Sequence, residues 1–349
     1  MFGSIASMGL MVLVSVPVGY YALKKGDIES ILDTSEITIV DNNGVLKDAI
    51  KKHKLENEKF MKYIKNYEDV IYKKDYLNKY MYEKNISMTK ILYFDDKEKK
   101  AYKNKKSTGR GYYSFKKGEI RLLGEETIND IYHELIHLST SFENDNTLFC
   151  GFEQTDKKEG YKIGTGLNEG FTELLNTIYF NKESKAYQPL RIFANALSEI
   201  IGLEKMEKYF YNADLLSLSK EMQRYGITEK EVYRFLANMD FCCYFYKKDK
   251  VSFIDNKQYQ KSIDEVQELL IRMYMNRYIL DAPTTSDDYY RIIKEKGIAF
   301  ANGSFFKSYD LKEDASKLIK DRKVIVMDDS KAKEYVDNAI EEARKMKAA

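Results

Sequence analysis

The chain is predicted to be an α+β protein, with a small sheet ahead of residue 126 and a mostly helical remainder. Three observations carry that expectation. Short runs rich in β-branched and aromatic residues lie at 86–94, 112–115 and 119–123, and the last two flank a Lys-Lys-Gly turn signal. From Thr127 onward the apolar residues change to helical spacing, which recurs across 186–250 and through much of the last hundred residues. Of the 349 residues, 44% are hydrophobic and 13% aromatic, enough to bury a sizeable core and far from the composition that keeps a chain unfolded. This length holds more than one compact unit, and the pattern divides at 1–25, 26–125, 126–250 and 251–349.

The first 23 residues hold no charged side chain, and the run 5–23 is just long enough to cross a bilayer as a helix. A transmembrane anchor or uncleaved signal is expected there. No basic stretch precedes the run and no clear small-x-small site follows it, which counts against a cleaved signal peptide. An apolar helix buried in the core, interrupted by Pro17, is the alternative. Lys24 and Lys25 follow and vote for a cytoplasmic remainder, but Asp27 and Glu29 beside them weaken that vote. The expectation is a membrane-anchored chain whose main part leans to the extracytoplasmic face, with the side left open.

Residues 46–84 read as a charged amphipathic helix with Ile50, Leu55, Phe60, Met61, Tyr63 and Ile64 among its apolar positions. A strand over 86–94 follows, then a lysine-rich loop up to Gly111, then a hairpin of 112–115 and 119–123. The next helix starts at Thr127, which with Asp130 resembles a capping pair, and carries Ile128, Ile131, Tyr132, Leu135, Ile136 and Leu138 on one face. A second helix begins near Gly166. The connection between the two, about 25 residues, is longer than most structureless loops and therefore reads as functional. Several helices punctuated by Gly202 and Gly226 fill 186–250, and the last hundred residues add more helix, a short strand at 323–327 and a charged final helix.

Lys and Arg number 57 against 55 Asp and Glu, so the near-neutral balance gives no reason to expect nucleic acid as a partner. The three cysteines, Cys150 and the adjacent Cys242 and Cys243, are odd in number and badly spaced for a disulfide framework or a thiolate zinc site. They read as free, packed thiols.

Residues 133–137 spell His-Glu-Leu-Ile-His inside a segment that is helical by its own periodicity. Positions four apart share a helix face, so both imidazoles can reach one ion at the ~2.0–2.1 Å typical of zinc and histidine nitrogen. Glu134 lies beside the first histidine without being needed as a ligand, and can take the proton of a water that the ion has acidified. A catalytic zinc takes three protein ligands. The only other histidine, His53, lies in a lysine-rich helical segment far upstream and reads as solvent-facing, so a carboxylate has to complete the set. Glu169 and Glu173, in Gly-Leu-Asn-Glu-Gly-Phe-Thr-Glu at the start of the second helix, are again four apart and share a face opposite Leu167, Phe171 and Leu174.

His-Glu-x-x-His followed by a helical Asn-Glu-x-x-x-Glu resembles the gluzincin clan of metallopeptidases, and the Glu-x-x-x-Glu form is similar to the lethal factor and Pro-Pro endopeptidase group. The resemblance spans about residues 109–220 and extends to uncharacterised bacterial membrane-associated peptidase-like proteins. It implies a zincin-like core in which His133, His137 and Glu169 hold one Zn2+ per chain, Glu134 acts as general base, and Glu173 accepts the free ring N–H of a liganding histidine. It also implies that the hairpin before the motif is the sheet edge along which a peptide or protein substrate lies. Gluzincins commonly use a Tyr or His to stabilise the oxyanion; no histidine is left for this, and Tyr161, eight residues before Glu169, is the positional candidate. The expected function is zinc-dependent peptide hydrolysis. The alternative is an inactive, membrane-tethered interaction module that keeps the zinc, against which the intact Glu134 argues; a phosphoesterase or deacetylase would need more histidines or aspartates.

Overall fold

Capping residues and apolar spacing decide where the chain turns helical. The structure, a computed structural model, describes residues 57–104, 110–181, 187–247, 253–282, 286–302 and 329–348. A 3-10 turn (Glu58–Phe60) leads into α1 (Met61–Ile71), whose apolar side puts Ile64, Tyr67 and Ile71 in the core. The polar stretch after it ends at Asn78, which accepts from Met81 N and starts α2 (Lys79–Met88). The helix expected over 46–84 is therefore two helices where it is described; its first residues, and His53 with them, lie outside the described residues.

The strand expected over 86–94 shortens to β1 (Lys90–Tyr93), because 86–88 finish α2. The stretch expected as loop before Gly111 opens with a helix, α3 (Asp96–Lys103), started by a reciprocal capping box between Asp95 and Glu98. The hairpin forms as expected from β2 (Gly111–Ser114) and β3 (Glu119–Leu122). Because β3 also pairs in parallel with β1, the order is β1-β3-β2 and β2 is an edge strand.

After a 3-10 turn (Glu125–Asp130) comes α4 (Ile131–Thr140), all ten residues of which are buried. The Thr127 hydroxyl bonds the backbone of Gly124, and Asp130 makes no capping bond, so the expected Thr127–Asp130 pair does not form; Asp130 instead meets Arg110 at 3.1 Å. Asn85 finishes the far end of α4 by donating to Leu138 O and Ser141 O, and Tyr67 bonds Ser139 at 2.6 Å. The long connection expected as loop is a four-stranded antiparallel meander: β4 (Ser141–Asn144), β5 (Thr147–Cys150), β6 (Glu153–Asp156) and β7 (Lys162–Ile163).

The helical remainder comprises α5 (Thr165–Phe180), α6 (Gln188–Ile201), α7 (Leu203–Tyr211), α8 (Leu215–Arg224), α9 (Glu229–Lys247), α10 (Phe253–Ile279), α11 (Asp287–Asn302) and α12 (Asp329–Ala348). α4, α6 and α9 all pack on α5. Close approach of α6 and α9 depends on glycine: a β-carbon at Gly166 would lie 2.1 Å from Met239 O, and one at Gly170 2.4 Å from Leu190 O. The Asp240 carboxylate, from α9, accepts from Gly164 N at 2.9 Å and Gly166 N at 2.7 Å, satisfying amides that a helix start leaves without partners. Phe152, Phe171 and Phe210 meet one another with centroids 5.1–5.4 Å apart, at the centre of a core that runs from Phe60 to Ala343. The architecture is α+β with small sheets. Residues 1–25 and the strand expected at 323–327 lie outside the described residues; among the described residues no helix is long and apolar enough to cross a membrane.

Candidate metal centre

One turn of α4 separates His133 from His137, and their Nε2 atoms come within 2.9 Å of each other. Glu169, near the start of α5, brings Oε2 to 3.2 Å from His133 Nε2 and 3.6 Å from His137 Nε2. Three ligands set tetrahedrally around an ion at zinc distances would stand about 3.3–3.6 Å apart. The three atoms thus already form one face of such a polyhedron to within a few tenths of an ångström, and among the described residues they form a group whose donor atoms could hold a metal. Two imidazole nitrogens and one carboxylate oxygen are donors that suit zinc.

Each imidazole is held from its other nitrogen. His133 Nδ1 lies 3.0 Å from Glu173 Oε1, within ion-pair reach though out of line for a hydrogen bond, while Nε2 faces Glu169. His137 Nδ1 has Cys150 Sγ at 3.5 Å and Asn168 Nδ2 at 3.3 Å, while Asn168 Oδ1 accepts from Phe152 N. Burial opposes a charged ring at both histidines. Against it, the charge of Glu173 and the ring N–H groups' interaction with the accepting carboxylates of Glu169 and Glu173 raise His133 well above the usual imidazole range. Cys150 and Glu169 likewise overcome burial at His137 and push it up to about 10. The fold therefore favours positive charge at this point, and a divalent ion would displace the protons that otherwise supply it.

Glu134 is 6% exposed. Burial lifts its carboxyl above the ordinary carboxylate range, and the charges of His133 and His137 work the other way. Gly111, at the head of the edge strand, stands beside it: a β-carbon there would lie 3.3 Å from Glu134 Oε1. The same β-carbon would lie 3.1 Å from Leu122 Cδ2, so the backbone of β2 passes close to both side chains at this point.

Tyr161 lies in the turn before β7, where burial and then the charges of Asp156 and Glu159 raise its phenol. The phenol among the site's carboxylates is Tyr187. Its ring stacks over His133 at 6.3 Å and 22°, and burial, then the charges of Glu169, Cys243, Glu134 and Glu173, raise it well above the usual range. It stays a neutral O–H donor. Its backbone is left-handed (φ 53°) at the N-cap of α6, uncommon for a bulky residue and typical of strain held at functional sites. Pro189 just after it marks a helix start in the sequence, but nothing in the sequence signals that the ring turns back over α4. Cys150 was equally invisible, since a β-turn brings it to His137. Asn168 was readable only as part of the Asn-Glu string.

Comparison with protein-family models, with curated proteins and with solved structures finds no match to this chain.

Proposed function

We propose that the chain is a zinc-dependent peptidase of the gluzincin type, with β1–β3, α4 and α5 as a zincin-like core. The observation that carries this reading is the triangle of His133 Nε2, His137 Nε2 and Glu169 Oε2, with a further buried acid, Glu134, beside it and not needed to complete it. When bound, the ion supplies Lewis-acid chemistry, drawing charge from a carbonyl oxygen and making a water acidic near neutral pH. Glu134 takes the proton from that water and passes it to the departing amine; burial, which makes its carboxylate a stronger base, suits it to the first role and proximity to the second. Tyr187, kept protonated among carboxylates, donates to the carbonyl oxygen as negative charge builds on it. Glu173, 3.0 Å from His133 Nδ1, would accept the ring N–H and so set Nε2 toward Glu169. A peptide in extended form would add as a strand to the edge of β2, whose backbone at Gly111 runs close to Glu134.

Tethering of this activity to a membrane by residues 1–25 belongs to the same proposal. The test is metal analysis of the full chain and cleavage of a peptide library, beside Glu134→Gln. One zinc per chain in both proteins, with cleavage by the unsubstituted protein alone, is the expected result. Zinc with no cleavage in either would favour an interaction module that keeps its metal, and absence of zinc would end the reading.

A further inference from the structure

We infer that Cys150 is a positioning residue for the metal centre: its sulfur is the acceptor that fixes the His137 ring. This rests on the metal-site reading above. If Nε2 of His137 faces the ion, Nδ1 must carry the hydrogen, and a buried N–H needs an acceptor. Among the described residues two groups are in reach, Cys150 Sγ at 3.5 Å and the Asn168 side chain at 3.3 Å. Asn168 is committed elsewhere, because its Oδ1 accepts from Phe152 N at 3.2 Å and its Nδ2, a donor that faces the ring, has Cys150 Sγ as its acceptor at 3.9 Å. Turning the amide over would point its NH2 at the Phe152 N–H and orphan that buried donor.

Sulfur has no such conflict. The Cys150 sulfur lies 3.7 Å from His137 O, to which its S–H can donate, and its lone pairs can receive Nδ1–H. The same carbonyl accepts from Ser141 Oγ at 2.7 Å and Thr140 Oγ1 at 3.1 Å, so the backbone against which Cys150 is registered is itself fixed. The pairing of β5 with β4 places Cys150 opposite Ser141, one residue past the end of α4. The meander between the two ligand-bearing helices thereby gains a purpose, since it carries the outer partner of the second histidine. His133 leans on a carboxylate and His137 on a sulfur.

The experiment measures zinc affinity and the visible spectrum of the Co2+-substituted protein for the full chain, Cys150→Ala, Cys150→Ser and the double variant Cys150→Ala with Asn168→Asp. Cys150→Ala should weaken zinc roughly 10- to 100-fold, the range for losing a ligand's outer partner, and shift the Co2+ bands. Cys150→Ser, whose shorter oxygen keeps an acceptor at greater distance, should fall between. In the double variant a carboxylate oxygen replaces the NH2 facing Nδ1, and affinity should recover, an outcome that loss of packing alone would not give. Far-UV dichroism and melting of the metal-free proteins show whether each variant is folded. An unsubstituted protein that binds zinc beside a Cys150→Ala that binds it equally well, with unchanged Co2+ bands, overturns the sulfur acceptor and leaves the metal site standing. An unsubstituted protein without zinc overturns both.

Discussion

α5 contributes to two buried carboxylate clusters, one near each end, and they are balanced in opposite ways. Toward its C-terminus Tyr179 joins Tyr76 as a donor to Glu207, which is 1% exposed, and Lys74 Nζ lies 2.9 Å from the same carboxylate. The chain brings its own cation there, and Lys74 is further held over the Tyr179 ring at 4.5 Å. Toward its N-terminus Glu169 and Glu173 meet two imidazoles, which are counter-charges only when they carry a proton. One cluster carries a permanent counter-charge in its ammonium; the other depends on protons held by its imidazoles, which a cation from outside could replace.

The largest expected effect tests that contrast directly. Glu169→Gln and His133→Ala should each cost more than the roughly 100-fold in zinc affinity that outer partners command, and hydrolysis should vanish with the metal. Glu207→Gln should leave zinc untouched and lower stability, by about 3 kcal/mol for a buried pair broken on one side, less in so far as Lys74 is part exposed. Dialysis followed by metal analysis, with chemical unfolding of the same samples, separates the two; a Glu207→Gln protein that loses its zinc would mean the clusters are not distinct.

Tyr187→Phe is next: removal of one donor to a developing oxyanion should lower kcat about 100-fold with zinc content unchanged. Equal loss in a Tyr161→Phe control would reinstate the upstream tyrosine. Smaller again is Glu173→Gln, for which a 10- to 100-fold fall in zinc affinity is expected because only the setting of the His133 ring is disturbed. If Glu173→Gln strips the metal while Glu169→Gln retains it, the two glutamates have exchanged roles.

The smallest effect is in the pH dependence of the metal-free protein. His133 and His137 are both raised in the folded state, His137 from 6.5 to about 10. Their protonation therefore stabilises the fold fully below about 6.5, and that stabilisation is lost as the pH rises through about 10. Melting in chelator should weaken from pH 6.5 to 10, and the zinc-loaded protein should show a flatter profile over the same interval. Parallel profiles would deny that this site favours positive charge.

The helices and the grouping of His133, His137 and Glu169 were legible in the sequence for different reasons. Spacing alone brought His133 and His137 to one face, and the scarcity of histidine directed attention to Glu169. What lay beyond reach was long-range or short. Strands of four residues or fewer with polar faces, β4 to β7, leave too little alternation to distinguish from loop. The capping box that starts α3 is plain once Asp95 and Glu98 are paired, but the lysines around it read as a solvated loop. Tyr187 and Cys150 reach the site through turns, and a turn carries no record of which distant helix it will face.

Gly166 and Gly170 stand on either side of Glu169, each pressed against the backbone of another helix. The position of Oε2 is thus tied to Met239 on α9 and Leu190 on α6, and α5 cannot slide past either of them. On the proposed zinc-site reading, occupancy of the site and cohesion of the helical half would be two faces of one equilibrium: whatever binds the native arrangement alone deepens it by mass action, and whatever prises α9 from α5 would release the ion. Slowed amide exchange along α9 on adding zinc would be the remote signature of that linkage.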